Sequence, residues 1–180
     1  MLFPPLVAHV IVNNGIIHNQ WGFPQRNLRI GATGNGGEHG CGPFAIYNAL
    51  FHLSNANNRT DPARIIRGLD IIGAFNFGGS AGTNPHAMVD NLRLNTDRSI
   101  TIQYFPDNIS SFIRNSSVSI LLYEGDIKEL YFHYVMIRHD GTQYHIYNLE
   151  AGSTHAFRTN SINNWLTTQR NFAISIITIN

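Results

Sequence analysis

Apolar positions along the chain change their spacing near residue 100. Before that point they recur at helical intervals; after it they alternate or run continuously over short stretches bounded by polar turns. The helical part predicts a first helix from Cys41 to Leu53. A second over Ala63–Ile72 follows Asp61-Pro62, and a third from Asn84-Pro85 runs through about Leu94. In both dipeptides a side-chain acceptor is followed by proline, the residue whose missing N–H costs nothing in a first helical turn. The later part predicts strands over Ile100–Phe105, Val118–Tyr123, Tyr131–Arg138, Gln143–Asn148 and Phe172–Ile179, with short helices over Asn108–Arg114 and Ile162–Thr167. Val7–Val12 reads as one more short strand. Residues 18–40 read as an irregular lead-in segment anchored by Trp21 and Phe23. Helices first and an antiparallel sheet afterwards imply an α+β domain. No repeat or linker divides the 180 residues, so one domain over 1–180 is expected.

The hairpin after Tyr131 places two polar residues where chemistry is possible. Asp140-Gly141 between apolar runs is a strong short-range hairpin signal. With these two as the loop, position 139 faces 142 and His133 faces Asn148, Cβ atoms about 5 Å apart. Alternation puts both on one face with Val135, Ile137, Tyr144 and Ile146, the face expected to meet the helices. A buried imidazole opposite a carboxamide calls for partnering. One reading is a structural hydrogen-bonded pair; the other is part of a catalytic site.

Composition narrows the classes. A net charge of +1 and a single lysine, Lys128, leave no basic footprint for nucleic acid. No apolar run is long enough to span a membrane. Met1–Val12 is apolar without a basic start or a small-residue cleavage site, so it reads as ordered chain rather than a signal peptide. With one cysteine there is no internal disulfide, and the composition suits a cytoplasmic protein as well as an exported one. Nine histidines invite a metal site built on Cys41, His39 and His133, but no CxxC, HxH or HExxH spacing supports it and no metal or other cofactor is expected. His139 reads as a turn residue, and His145 faces away from His133 by alternation.

The lone cysteine sits at the start of the first helix, in Gly40-Cys41-Gly42-Pro43-Phe44-Ala45. Unpaired N–H groups and the positive end of the helix dipole favour a thiolate there. Ala45 and Ala49 lie below it on the same face, small enough for a sheet to pack close. The competing reading is a buried structural cysteine. As chemistry, Cys41 would attack a carbonyl carbon, His133 would pair with the thiolate and protonate the leaving group, and Asn148 would orient the ring. The Cys41 N–H would serve the oxyanion, with Asn35 as a side-chain donor or, alternatively, as a simple turn residue between glycines. Gly36-Gly37 reads as a flexible approach to the nucleophile. The glycine-rich loop Gly73–Gly82 supplies a wall of a substrate groove, with Gly40, Phe77, Gly78 and Gly79 lining it, or else its Phe75 and Phe77 fill the core.

Gly40-Cys41-Gly42-Pro43, His133-Tyr134-Val135-Met136-Ile137 and Tyr147-Asn148, taken in that order, resemble the papain-like superfamily of cysteine peptidases. Within it they are most similar to the compact bacterial branch that includes the peptidases removing double-glycine leaders from bacteriocins. Gly82-Thr83-Asn84-Pro85 shares that likeness, which spans residues 35–150. The resemblance implies a papain-like fold with the cysteine helix packed on an antiparallel sheet, a Cys–His–Asn triad, and a peptide or protein substrate. The chain departs from the pattern in three places: the paired-cysteine signature of plant papains is missing, Asn35 stands where the family has glutamine, and Gly40 replaces an acidic residue. A cysteine peptidase is therefore the expected function. A glutamine deamidase or acyltransferase on the same triad, or an inactive papain-fold binding module, are the alternatives.

Overall fold

The computed structural model describes residues 15–22, 25–54, 61–76, 82–125, 132–149 and 153–180. Six strands form one antiparallel sheet: β3 (Ile100–Tyr104), β4 (Val118–Glu124), β5 (Phe132–His139), β6 (Tyr144–Tyr147), β7 (Phe157–Thr159) and β8 (Phe172–Ile179), in the order β3-β8-β4-β5-β6-β7. A two-stranded ladder of β1 (Arg29–Ile30) and β2 (Gly34–Asn35) precedes it. The helices are α1 (Gly36–His39), α2 (Cys41–Leu53), α3 (Pro62–Ile71), α4 (Pro85–Asn95), α5 (Ile109–Arg114) and α6 (Ile162–Thr168). The α+β class is therefore as expected. No helix among the described residues is long and apolar enough to cross a membrane.

Local chemistry explains most of the boundaries. The Asp61 side chain accepts from Ala63 N at 2.9 Å and that of Asn84 from His86 N at 2.9 Å, so both cap-and-proline signals open helices. Asn108 and Ser161 cap α5 and α6 in the same way. The lead-in segment is less irregular than its composition suggests: it folds as a 3-10 turn (Gln25–Asn27), the β1–β2 ladder and α1. Trp21 is 47% exposed, a loose anchor at best. The expected strand Val7–Val12 and anchor Phe23 lie outside the described residues.

The sheet is covered on both faces. One core joins α2, α3 and α4 to Ile120, Leu122, Tyr134, Met136, Tyr147 and Ile177. The other joins α5 and α6 to Leu121, Tyr123, Val135, Ile137, Tyr144 and Ile146. Burial on both sides is why β4 reads as a continuous apolar run rather than an alternating one. It also corrects an expectation. The face carrying Val135, Ile137, Tyr144 and Ile146 meets α5 and α6, not the cysteine helix.

The β5–β6 turn differs from the expected two-residue form. His139 faces Tyr144, so the loop has four residues, Asp140–Gln143, closed by Asp140 N donating to Gln143 O at 3.1 Å. Asp140 Oδ1 accepts from Thr142 N (2.9 Å), Gln143 N (2.8 Å) and Thr142 Oγ1 (2.8 Å), and Oδ2 accepts from His145 Nε2 at 2.6 Å. One carboxylate thus organises a longer loop than Asp-Gly alone predicts. The register moves by two residues. A one-residue slip would have reversed every side chain, whereas two preserve sidedness. Asn148 is no longer on a rung with His133; the last pair is Met136 with Tyr147.

Those hydrogen bonds, led by the one from Gln143 N, hold the Asp140 carboxyl far below the usual carboxylate range. A depressed folded-state pKa stabilises fully above the unfolded value of about 3.9 and is lost as pH falls below it. Asp140→Asn should therefore melt below wild type at pH 6, with the gap narrowing between pH 5 and pH 2.5 in thermal denaturation followed by circular dichroism. An unchanged gap would contradict the charge-dependent part of this account.

Candidate active site

The N-terminus of α2 is built around missing side chains. Gly40 joins α1 to α2 with its N–H on Gly36 O at 3.1 Å and its carbonyl accepting from Phe44 N at 2.9 Å. A Cβ there would lie 2.3 Å from Gly36 O and 2.3 Å from the Phe44 ring; one at Gly42 would lie 2.5 Å from Thr83 Oγ1. Gly36 likewise has the Gln25 backbone against it. The glycines around the cysteine serve close packing rather than flexibility.

Cys41 opens α2 as expected, but it is only 6% exposed. Burial pushes its thiol up, and the N–H groups of Tyr134, Gly42 and Cys41 itself pull it down by less. The net direction is upward, opposite to the expected thiolate, because desolvation outweighs the helix terminus. Tyr134 is buried on the same face, its hydroxyl donating to Thr83 O at 2.9 Å. Burial, then the neighbouring Cys41, pushes its phenol well above 10.

The amide of Asn35, the expected oxyanion donor, is engaged with Glu38. Its Oδ1 accepts from Glu38 N at 3.0 Å, capping the N-terminus of α1, and its Nδ2 donates to Glu38 Oε2 at 2.9 Å. Asparagine ahead of a four-residue helix has a local use that a longer side chain would not serve as well.

His133 lies on β5 directly across from Tyr123, its ring against the edge of that phenol (centroids 5.8 Å), with Tyr123 in turn on Trp165. Tyr123 and Trp165 belong to the α5–α6 core. The imidazole therefore sits on the opposite side of β5 from the side chain of Tyr134 and from Cys41. Its Nε2 donates to the carbonyl oxygen of Asn148 at 2.6 Å. A carbonyl only accepts, so a proton is on Nε2. Burial lowers the His133 pKa, and this hydrogen bond raises it in part.

Asn148 orients the ring through its backbone, not through its amide as expected. It has left-handed φ (+63°), a conformation asparagine tolerates better than most residues. Its Nδ2 donates to Gln20 Oε1 at 3.0 Å, and Gln20 Nε2 donates to Gly37 O at 2.7 Å. Sequence reasoning passed over Gln20, which lies among polar lead-in residues with nothing periodic to mark it.

His133 and Asn148 are thus in direct contact, and Cys41 shares a buried cluster with Tyr134, the next residue of β5. Among the described residues no hydrogen bond or ion pair links the Cys41 sulfur to the imidazole. No group of three or more His, Cys, Asp or Glu there is placed to hold a metal. His39 lies beside Glu38 (3.6 Å), and His145 is tied to Asp140. Phe75 packs against the α2 core; Phe77, Gly78 and Gly79 lie outside the described residues. In comparisons with known proteins, no family model matches the chain and no curated protein does either.

If the closeness at Gly40 is as tight as this, Gly40→Ala should cost about 1–3 kcal/mol through overpacking against backbone. Urea denaturation should show the loss as a lower midpoint at unchanged slope; a wild-type midpoint would contradict it.

Proposed function

We propose that this protein is a thiol hydrolase, a cysteine peptidase of papain-like type acting through a thioester on Cys41. One observation carries the reading: Cys41 opens the helix that packs on β5, the strand that bears His133, and the N–H of Tyr134 next along that strand favours the Cys41 thiolate. The thiol proton passes to His133 Nδ1, and the sulfur attacks the substrate carbonyl carbon. The Cys41 N–H at the helix start meets the oxyanion. Collapse of the tetrahedral species breaks the peptide C–N bond, and the proton on His133 leaves with the amine. Water, deprotonated by the same ring, then cleaves the thioester. In the resting orientation the Asn148 carbonyl accepts from Nε2–H, a partner that favours the imidazolium. In the resting arrangement the thiol is protonated and the ring lies on Tyr123, so forming the pair takes a rotation of His133 away from that phenol.

A second reading has its own support. The buried thiol and the commitment of Asn35 to a helix cap favour an inactive papain-fold binding module.

The pH dependence of Cys41 alkylation by iodoacetamide separates them. A hydrolase should label at a rate that persists down to about pH 6, and His133→Ala should reduce the pH 6 rate roughly tenfold or more. An inactive module should label slowly, gain about tenfold per pH unit until pH 9 or above, and ignore His133→Ala.

A further inference from the structure

The hydrogen bonds around His133 do not end at Asn148. Gln20, 5% exposed, accepts from the Asn148 amide and donates to the Gly37 carbonyl in the short helix just ahead of Cys41. His133 and Asn148 are each 3% exposed, so water has little access to any member of this chain. Gln20 is itself placed by a strap along α2. The fully buried Asn48 receives Ile17 N at 2.8 Å and donates to Ile17 O at 2.8 Å, and Tyr47 hydroxyl donates to Gly15 O at 2.9 Å. The strap, the helix before the cysteine and the turn after β6 therefore meet at one side chain.

We infer that Gln20 is a positioning residue for His133: by fixing the Asn148 side chain to Gly37 it holds the left-handed turn whose carbonyl receives the imidazole Nε2–H. A left-handed asparagine persists where its surroundings over-determine it. Here the determinants are two buried hydrogen bonds from one amide. Losing them releases the turn, and the buried ring loses the acceptor that supports its charged form. The consequence for catalysis rests on the hydrolase reading; the geometry does not.

The test uses the full chain with the His133 ring resonances followed by NMR over pH, and two substitutions. Gln20→Met keeps the volume and removes both hydrogen bonds, while Gln20→Glu keeps an acceptor for Asn148. The inference expects the His133 titration midpoint to fall by at least about half a pH unit in Gln20→Met and to fall less in Gln20→Glu, which keeps the bond to Asn148 and loses the one to Gly37. It also expects slower Cys41 alkylation at pH 6 in Gln20→Met with an unchanged rate at pH 10. A midpoint unmoved by Gln20→Met, with only a lower melting temperature, overturns it. Should Gln20→Met not fold, the unsubstituted protein decides: the Gln20 and Asn148 side-chain amide resonances follow the His133 titration if the chain is coupled, and amides indifferent to it overturn the inference. Failure of the hydrolase reading shows separately, as alkylation that ignores His133→Ala.

Discussion

The close packing around the first turn of α2, against the backbone of α1 and against Thr83, governs the rest. Two glycines flanking Cys41 leave no room for a Cβ, so helix backbone comes against Thr83 and Phe44 at distances other residues would forbid. That packing closes the Cys41 sulfur off from water, while backbone N–H groups, that of Tyr134 first, favour its thiolate. The same constraint thus supplies the donors that favour a thiolate and the burial that opposes one. In the resting state burial wins, by the ordinary rule that desolvation of a sealed group exceeds a few backbone hydrogen bonds.

Both faces of the sheet being buried adds a second constraint. Successive residues of β5 serve different cores: Tyr134 the α2 side, His133 the α5–α6 side. A strand sends the side chains at adjoining positions to opposite faces, so Tyr134 and His133 part unless the ring turns at the point where pairing with β6 has ended. That end falls at Met136, short of His133, and Asn148 occupies the space beyond it with its left-handed turn. The open end of the ladder is what gives the imidazole a carbonyl partner in place of a strand.

Much of this was legible in the residues. Cap-and-proline pairs mark α3 and α4, the Cys41–Leu53 periodicity marks α2, and β-branched runs mark β8, because each depends on neighbours in sequence. The nearness of His133 to residue 148 was legible, but neither the rung nor the atom was: the contact is to the Asn148 backbone carbonyl, and the side chain goes to Gln20. What escaped depends on distant partners. The four-residue turn is decided by Asp140 reaching His145, which no dipeptide statistic contains. The layer facing His133 is decided by α6, a helix of seven residues near the end of the chain. Asn35 was assigned by its distance from the cysteine, whereas the local competition for a helix cap took its amide. Gln20 owes its place to Asn148 and Gly37, far along the chain in both directions.

The central claim is that the peptide between His133 and Tyr134 is the floor on which the thiol rests. The most direct measurement is the backbone amide resonance of Tyr134, followed by NMR as the thiol is ionised and compared with Cys41→Ala. The account predicts that this amide shifts with the Cys41 titration more than the other β5 amides and loses that response in the variant. An amide that ignores the state of the thiol, and is the same with and without the sulfur, would contradict it.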